Sequence, residues 1–272
     1  MEKVEPYKGI AAAYDKMRPS YPEKLIQDVI SITGVNSNDR LLEIGAGTGK
    51  ATVQFAEKAF NIHAIELGED MAKILKEKCT LFPNVIIDVV SFEDWDSSSY
   101  EKYDMVYSAQ AFHWIDKNFK YKKCYEILND NGYLVLFWYN SCDEKIPKTK
   151  EIQEKIDIII NKYVSNYYES NIKPQRREHD GVYKEDERII EIKESGLFKL
   201  IDKLEYYHET QNNAEQYLQV MESVPAFASI LDGLNDEIIK NMKNEIKELI
   251  NEYGGYVSSL LEFSLYITQK IG

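Results

Sequence analysis

Three glycines at alternate positions, Gly45, Gly47 and Gly49, directly follow the apolar run Arg40-Leu-Leu-Glu-Ile44. Glycine lets a backbone approach a ligand closely, and a helix opening after such a loop carries partial positive charge at its N-terminus. Together they suit an anionic or nucleotide-like ligand. Glu66 ends the next apolar run, Asn61-Ile-His-Ala-Ile65. A carboxylate there can accept hydrogen bonds from two vicinal ribose hydroxyls. Glu43 lies inside the first apolar run, where an unpartnered carboxylate is costly. It reads as a brace for the loop or as a partner for a ligand ammonium. His113 and Trp114 follow a later apolar run. His113 is the candidate catalytic group, as general base or hydrogen-bond donor to a substrate, against the plainer role of a packed histidine. Trp114 is a pocket wall or core residue, with a cation–π contact as the alternative.

Spacing narrows the ligand. The dinucleotide fingerprint G-x-G-x-x-G requires glycine at position 50, which is Lys50, and the phosphate loop G-x-x-x-x-G-K-[ST] is absent. Neither an Asn/Asp-Pro-Pro-Tyr/Phe segment nor a Pro-Cys nucleophile follows the fourth apolar run, so chemistry on adenine amines or cytosine C5 is disfavoured.

The elements that would position these groups alternate. Apolar runs at 40–44, 61–65, 84–90, 103–107 and 132–138 read as strands, with helices near 22–33, 49–59, 70–78 and 117–128 between them. Such alternation predicts βαβ units and a parallel sheet with right-handed crossovers. Further strands are expected near 198–208 and 256–269, with helices at 147–168, 185–195 and 213–251, the last broken at Pro225 and Gly233. The predicted fold is α/β: a Rossmann-like, seven-stranded, mostly parallel sheet with helices on both faces and a helical cap. Residues 1–140 would form the ligand-binding core. Residues 141–272 would complete the sheet and supply the cap.

These motifs resemble the class I S-adenosylmethionine-dependent methyltransferases, in particular the small-molecule branch that includes ubiquinone/menaquinone and trans-aconitate methyltransferases. Leu41-Leu-Glu-Ile-Gly-Ala-Gly-Thr-Gly49 is similar to the first family motif, Ala64-Ile-Glu-Leu-Gly-Glu-Asp-Met71 to the second, Val90-Ser-Phe-Glu-Asp-Trp95 to the third and Tyr103-Asp-Met-Val-Tyr-Ser-Ala-Gln-Ala-Phe-His-Trp114 to the fourth. Leu128-Asn-Asp-Asn-Gly-Tyr-Leu134 and Tyr14-Asp-Lys-Met-Arg-Pro-Ser-Tyr-Pro22 extend the likeness. The resemblance implies S-adenosyl-L-methionine as cofactor and S-adenosyl-L-homocysteine as product. It implies Gly45, Ala46 and Gly47 beside the methionine part, Glu66 on the ribose, and Leu67 and Met71 flanking the adenine. Ser91, Phe92 and Glu93 would lie at the adenine edge, and Ser108, Ala109 and Gln110 at the sulfonium end. Many family members carry Asp at the position of Ser91; the hydroxyl or the Phe92 amide would replace that contact. Tyr14 and Arg18 would belong to a lid near the cofactor carboxylate, which a guanidinium fork matches.

Composition supports a soluble enzyme acting on a small molecule. The 272 residues carry a formal net charge of -13, which repels phosphate backbones and disfavours nucleic-acid partners. The basic clusters Lys120-Tyr-Lys-Lys123 and Lys173-Pro-Gln-Arg-Arg177 read as solvated surface, although Arg176, Arg177 and His179 could meet an acidic substrate. No apolar run reaches the roughly 20 residues needed to cross a bilayer, and no signal peptide opens the chain. Three separated cysteines favour neither disulfides nor zinc. A cytoplasmic monomer or homodimer, with no metal and no membrane, is expected. Tyrosines clustered at 163–168, 206–207 and 253–256 read as cap packing or as an aromatic substrate pocket. Besides a methyltransferase acting on a carboxylate or hydroxyl, two readings stay open: a non-catalytic S-adenosylmethionine-binding protein and a nicotinamide-dependent oxidoreductase.

Overall fold

The computed structural model describes residues 8–169 and 185–272. In chain order it contains α1 (Ala11–Met17), α2 (Glu23–Thr33), β1 (Arg40–Ile44), α3 (Lys50–Ala56), β2 (Asn61–Glu66), α4 (Glu69–Lys78), β3 (Val85–Val89) and β4 (Tyr103–Ala109). There follow α5 (Lys117–Ile127), β5 (Leu128–Ser141), α6 (Pro147–Glu169), α7 (Glu185–Glu194), β6 (Phe198–Asn213), α8 (Ala214–Glu222), α9 (Pro225–Asp232), α10 (Asp236–Glu252) and β7 (Tyr256–Lys270).

The seven strands form one sheet in the order β3-β2-β1-β4-β5-β7-β6. β1 to β5 pair in parallel, whereas β7 runs antiparallel to both β5 and β6. The order reverses beside β1, so β1 and β4 diverge at their C-terminal ends, the place where open α/β sheets leave a crevice for ligands. Parallel strands with both faces covered need near-continuous apolar runs. β1 shows why: Leu41 packs on the side of α2, α3 and α4, with Leu25, Phe55 and Leu75, while Leu42 and Ile44 pack on the opposite side with Val106, Leu136 and Cys124. A separate apolar core joins the cap helices, through Ile152 and Ile156 of α6, Leu218 of α8, Phe227 of α9, and Met242 and Ile246 of α10.

Most expected elements form, with some shifted ends. α3 stops at Ala56 because Lys58 and Ala59 donate to the carbonyls of Phe55 and Ala56, and Ala59 turns to a φ of 64°. β6 runs to Asn213, beyond the expected His208. Glu209-Thr-Gln-Asn-Asn213 lacks apolar alternation; pairing of Glu209 to Asn213 with Leu260 to Tyr256 makes it a strand.

One surface expectation is corrected. Lys120 and Lys123 are buried, with 2% and 9% exposure, because α5 is covered on two sides. Lys120 pairs with Glu191 of α7 at 3.0 Å, and Lys123 donates to the loop after β3. The intervening Lys122 is exposed. The cluster at 173–177 and His179 lie outside the described residues. Several of the clustered tyrosines anchor helices: Tyr163 donates to Glu245 at 2.8 Å, Tyr206 to Asp28 at 2.7 Å, and Tyr253 to Glu151. Among the described residues no helix is long and apolar enough to cross a membrane.

β7 closes the sheet through Phe263, which is 1% exposed and lies 5.4 Å from Tyr139 and 6.1 Å from Tyr21, ring centre to ring centre. Phe263→Ala should lower unfolding stability by about 3–5 kcal/mol, the transfer loss plus the cavity left behind. Urea denaturation measures this, and a loss below about 1 kcal/mol would show that the aromatic cluster does not hold the closing strand.

Candidate active site

A cavity of about 350 Å³ opens at the C-terminal ends of β1, β2 and β4. Its size falls within the range of small-molecule sites. The glycine loop builds one wall. Gly45 has a φ of 69°, and a Cβ there would meet the Ala111 Cβ at 2.3 Å, so only glycine fits between the loop and the segment after β4. Gly49 has a φ of 83°, and a Cβ there would meet Leu75 of α4 at 2.6 Å. The Gly45 and Ala46 N–H groups donate to the Ile65 carbonyl, at 2.8 and 3.0 Å, which stitches the loop to β2.

Glu66 completes that wall. Its carboxylate accepts from the Gly47 N–H at 2.6 Å and from the Gly68 N–H at 2.7 Å. The two oxygens thus hold the loop and the turn into α4 against each other. A carboxylate oxygen can accept more than one hydrogen bond. Leu67 and Met71 line the same side of the cavity, and Ser91, Phe92 and Glu93 line the far end.

The loop after β3 answers which group at that end is available. The Ser91 hydroxyl donates to the Asp94 carboxylate at 2.7 Å, and the Ser91 carbonyl accepts from Asp94 and Trp95. The Phe92 N–H has no acceptor among the described residues.

Beside this cavity lies a small recess lined by Glu43, Gly45, Ala46, Gly47, Lys50, Tyr14 and Tyr139, among others. Glu43 is a brace in this structure: its Oε2 accepts from Thr52 of α3 at 2.5 Å and from Tyr107 of β4 at 2.9 Å. Burial pushes its carboxyl up to about 8; the hydrogen bonds from Thr52 and Tyr107 oppose the rise and the charge of Glu66 adds to it. Tyr14 of α1 borders both spaces. Its helix is tied down from three directions. The Lys50 Nζ donates to the Asp15 carbonyl at 2.8 Å, Lys78 pairs with the Asp15 carboxylate, and the Gly9 N–H donates to Asp70 at 2.8 Å. The residue that occupies the fingerprint's glycine position therefore anchors α1.

Not every candidate reaches the cavities. Ala109, Gln110 and Trp114 do, but Ser108 is fully buried and donates to the Ile44 carbonyl at 2.8 Å, pinning β4 to β1. His113 lies outside both linings; its Nδ1 accepts from the Trp138 indole at 3.2 Å, which leaves the ring proton of a neutral imidazole on Nε2. Arg18 also borders neither space. Its guanidinium lies 5.6 Å from the Tyr14 ring, and its buried Nε has no acceptor among the described residues. The sequence reading missed the apolar walls Ile44, Ile65, Val90, Ala111 and Ile115. A signal for two of them existed, since Ile44 and Ile65 pair in register at the strand ends that carry the glycine loop and Glu66.

Residues 41–132 match the family model of the methyltransferase domain. Over this stretch the chain is similar to methyltransferase domains. An uncharacterized methyltransferase of Schizosaccharomyces pombe is 31% identical over 157 residues, covering 56% of this chain and 59% of the relative. The chain thus spans under two thirds of the length of that relative. A solved structure from Bacillus halodurans C-125, named as a methyltransferase, has a TM-score of 0.54 at 15% identity, covering 92% of this chain and 100% of the other. The [4+2]-cyclase SpnF has a TM-score of 0.53 at 13% identity, covering 94% and 84%. At those identities the two structures share the fold and do not fix the chemistry.

The raised Glu43 carboxyl makes a pH prediction. The fold keeps a proton that the unfolded chain releases above its ordinary value of 4.5. This group's contribution is therefore fully present below 4.5 and fades as pH rises through about 8. Glu43→Gln stays neutral and keeps an acceptor, so its melting temperature should gain on the native protein's between about pH 5 and about pH 9. A pH-independent difference would mean that Glu43 is ionised in the fold.

Proposed function

We propose that this chain transfers a methyl group from S-adenosylmethionine to a small-molecule acceptor, a carboxylate or hydroxyl. The observation that carries the reading is electrostatic. Among the described residues, the ionisable acids lining the larger cavity are Glu66 and Glu93, and no Lys, Arg or His lines it. A dinucleotide would bring a pyrophosphate dianion to such a wall without a cation to meet it. A ligand with a sulfonium and an ammonium is suited to it.

The residues fit the parts of that cofactor. Glu66 would hold the ribose, with Leu67 and Met71 against the adenine faces and the Phe92 N–H at the adenine edge. Ser91 acts there through its turn, since its hydroxyl is engaged by Asp94. Gly45, Ala46 and Gly47 would border the methionine part, with Glu43 at the floor of the adjoining recess. Tyr14 would cover it, and Arg18 would turn its guanidinium to the cofactor carboxylate. Ala109 and Gln110 would stand at the sulfonium end. Gln110 is fixed for that role: it holds a φ of 64° while its side chain donates to the Tyr139 carbonyl at 2.7 Å. A non-glycine residue in that region costs about 1–3 kcal/mol and persists where the surroundings enforce it.

The cofactor supplies an already activated methyl group, so the protein's task is orientation and exclusion of water. The acceptor lone pair forms the new bond to the methyl carbon as the carbon–sulfur bond breaks and leaves a neutral thioether. A carboxylate acceptor needs no base, and His113, whose Nδ1 lone pair is engaged by Trp138, would donate to it through Nε2–H; a hydroxyl acceptor would pass its proton to solvent. Trp114, 47% exposed at the cavity rim, would wall the acceptor side.

The cyclase neighbour makes a second reading worth testing, a protein that binds the cofactor without transferring its methyl. Incubation with methyl-labelled S-adenosylmethionine and a panel of small carboxylates, alcohols and phenols separates the two. Label in an extractable acceptor supports transfer, and tight cofactor binding with no label in any acceptor supports the second. Glu66→Ala should weaken S-adenosylhomocysteine binding by about 1–3 kcal/mol, the range for charged hydrogen bonds. Calorimetry showing unchanged affinity would remove Glu66 from the ribose.

A further inference from the structure

The mechanism above makes no use of Lys123, yet few polar groups in the molecule are held so closely. Its ammonium sits on α5 beneath the loop after β3, donating to the carbonyls of Phe92 and Trp95 at 2.6 Å each, with the Glu93 carbonyl at 3.5 Å. The rings of Phe92, Phe119 and Trp95 surround it at 4.9, 5.3 and 5.5 Å. Burial lowers its affinity for a proton, while Glu93 foremost, then Asp94 and Asp96, favour the charged form.

We propose that Lys123 is a positioning residue for adenine recognition: by drawing the carbonyls of residues 92, 93 and 95 to its own side of the loop, it leaves the Phe92 N–H for the adenine edge. This rests on the placement of adenine proposed above. Hydrogen bonds to an ammonium are strong, and a buried carbonyl left without a donor is costly. Without the ammonium these peptide units would reorient to find donors, and a carbonyl presented to the cavity would reverse the polarity that the adenine edge meets. Lys123 itself lines neither cavity, so its effect passes through Phe92 and Glu93, which line the larger one.

The test uses a ligand pair that reads that polarity. S-adenosylhomocysteine has an acceptor at purine N1. S-inosylhomocysteine carries a hydrogen there and an oxo group at C6. Calorimetry on the full chain should show the native protein preferring the adenine form by about tenfold or more, the size of one directed hydrogen bond and its mismatch. Lys123→Met should reduce that ratio at least about fivefold, and Lys123→Arg should restore most of it. If Lys123→Met weakens both ligands equally, or keeps the native ratio, the positioning role is overturned. Should the Met variant fail to fold, Lys123→Gln, with a neutral donor, carries the test: a reduced ratio supports the proposal and a native ratio overturns it. A native protein that does not distinguish the two ligands would overturn the adenine placement itself, and the proposal with it.

Discussion

The site depends on one carboxylate that does two structural tasks at once. Glu66 at the end of β2 accepts the N–H of Gly47 from the loop after β1 and the N–H of Gly68 from the turn into α4. Two adjacent strand ends and two helix entries are thereby locked in one geometry. The carboxylate is partly exposed and lines the cavity. Hydrogen bonds to a charged acceptor contribute more than neutral ones, which suits a bond that must define a loop rather than merely accompany it.

The rest of the fold places groups around that lock. β1 and β4 separate at the switch in strand order, and Gly45 lets the segment carrying Ala111 close in until no side chain could stand between them. Glu43 ties β1 to α3 and β4 from below, in a largely neutral form at ordinary pH that lets a carboxyl sit in the core without an unpaired charge. Helix α1 is held by Lys50 and Lys78 from the core side and packs against α4 and α8. The same short helix thus touches both α4 and α8, and Tyr14 on it borders both the large cavity and the recess.

Much of this was legible in the sequence. Apolar runs and glycine spacing are local signals, so the five parallel strands, the loop and Glu66 could be placed from them. What was missed depended on contacts between distant segments. Lysines on a lysine-rich helix read as solvated, and only the packing of α7 and of the loop after β3 over α5 buries Lys120 and Lys123. Lys50 was informative as an absent glycine, whereas its role at the lid depends on a partner 35 residues away. Ser108 could have been oriented in advance: alternation along β4 places it on the face opposite Ala109, turned from the cavity that Ala109 lines. The polar end of β6 carried no signal of its own, because its strand character comes from β7.

The most direct test of the central claim is a crystal structure of the full chain with S-adenosylhomocysteine. The account predicts the ribose hydroxyls within hydrogen-bond distance of Glu66, the adenine edge on the Phe92 N–H, and the amino-acid end at the glycine loop beneath Tyr14. A ligand bound in the reverse direction along the cavity, or elsewhere with the Glu66 side untouched, would contradict it.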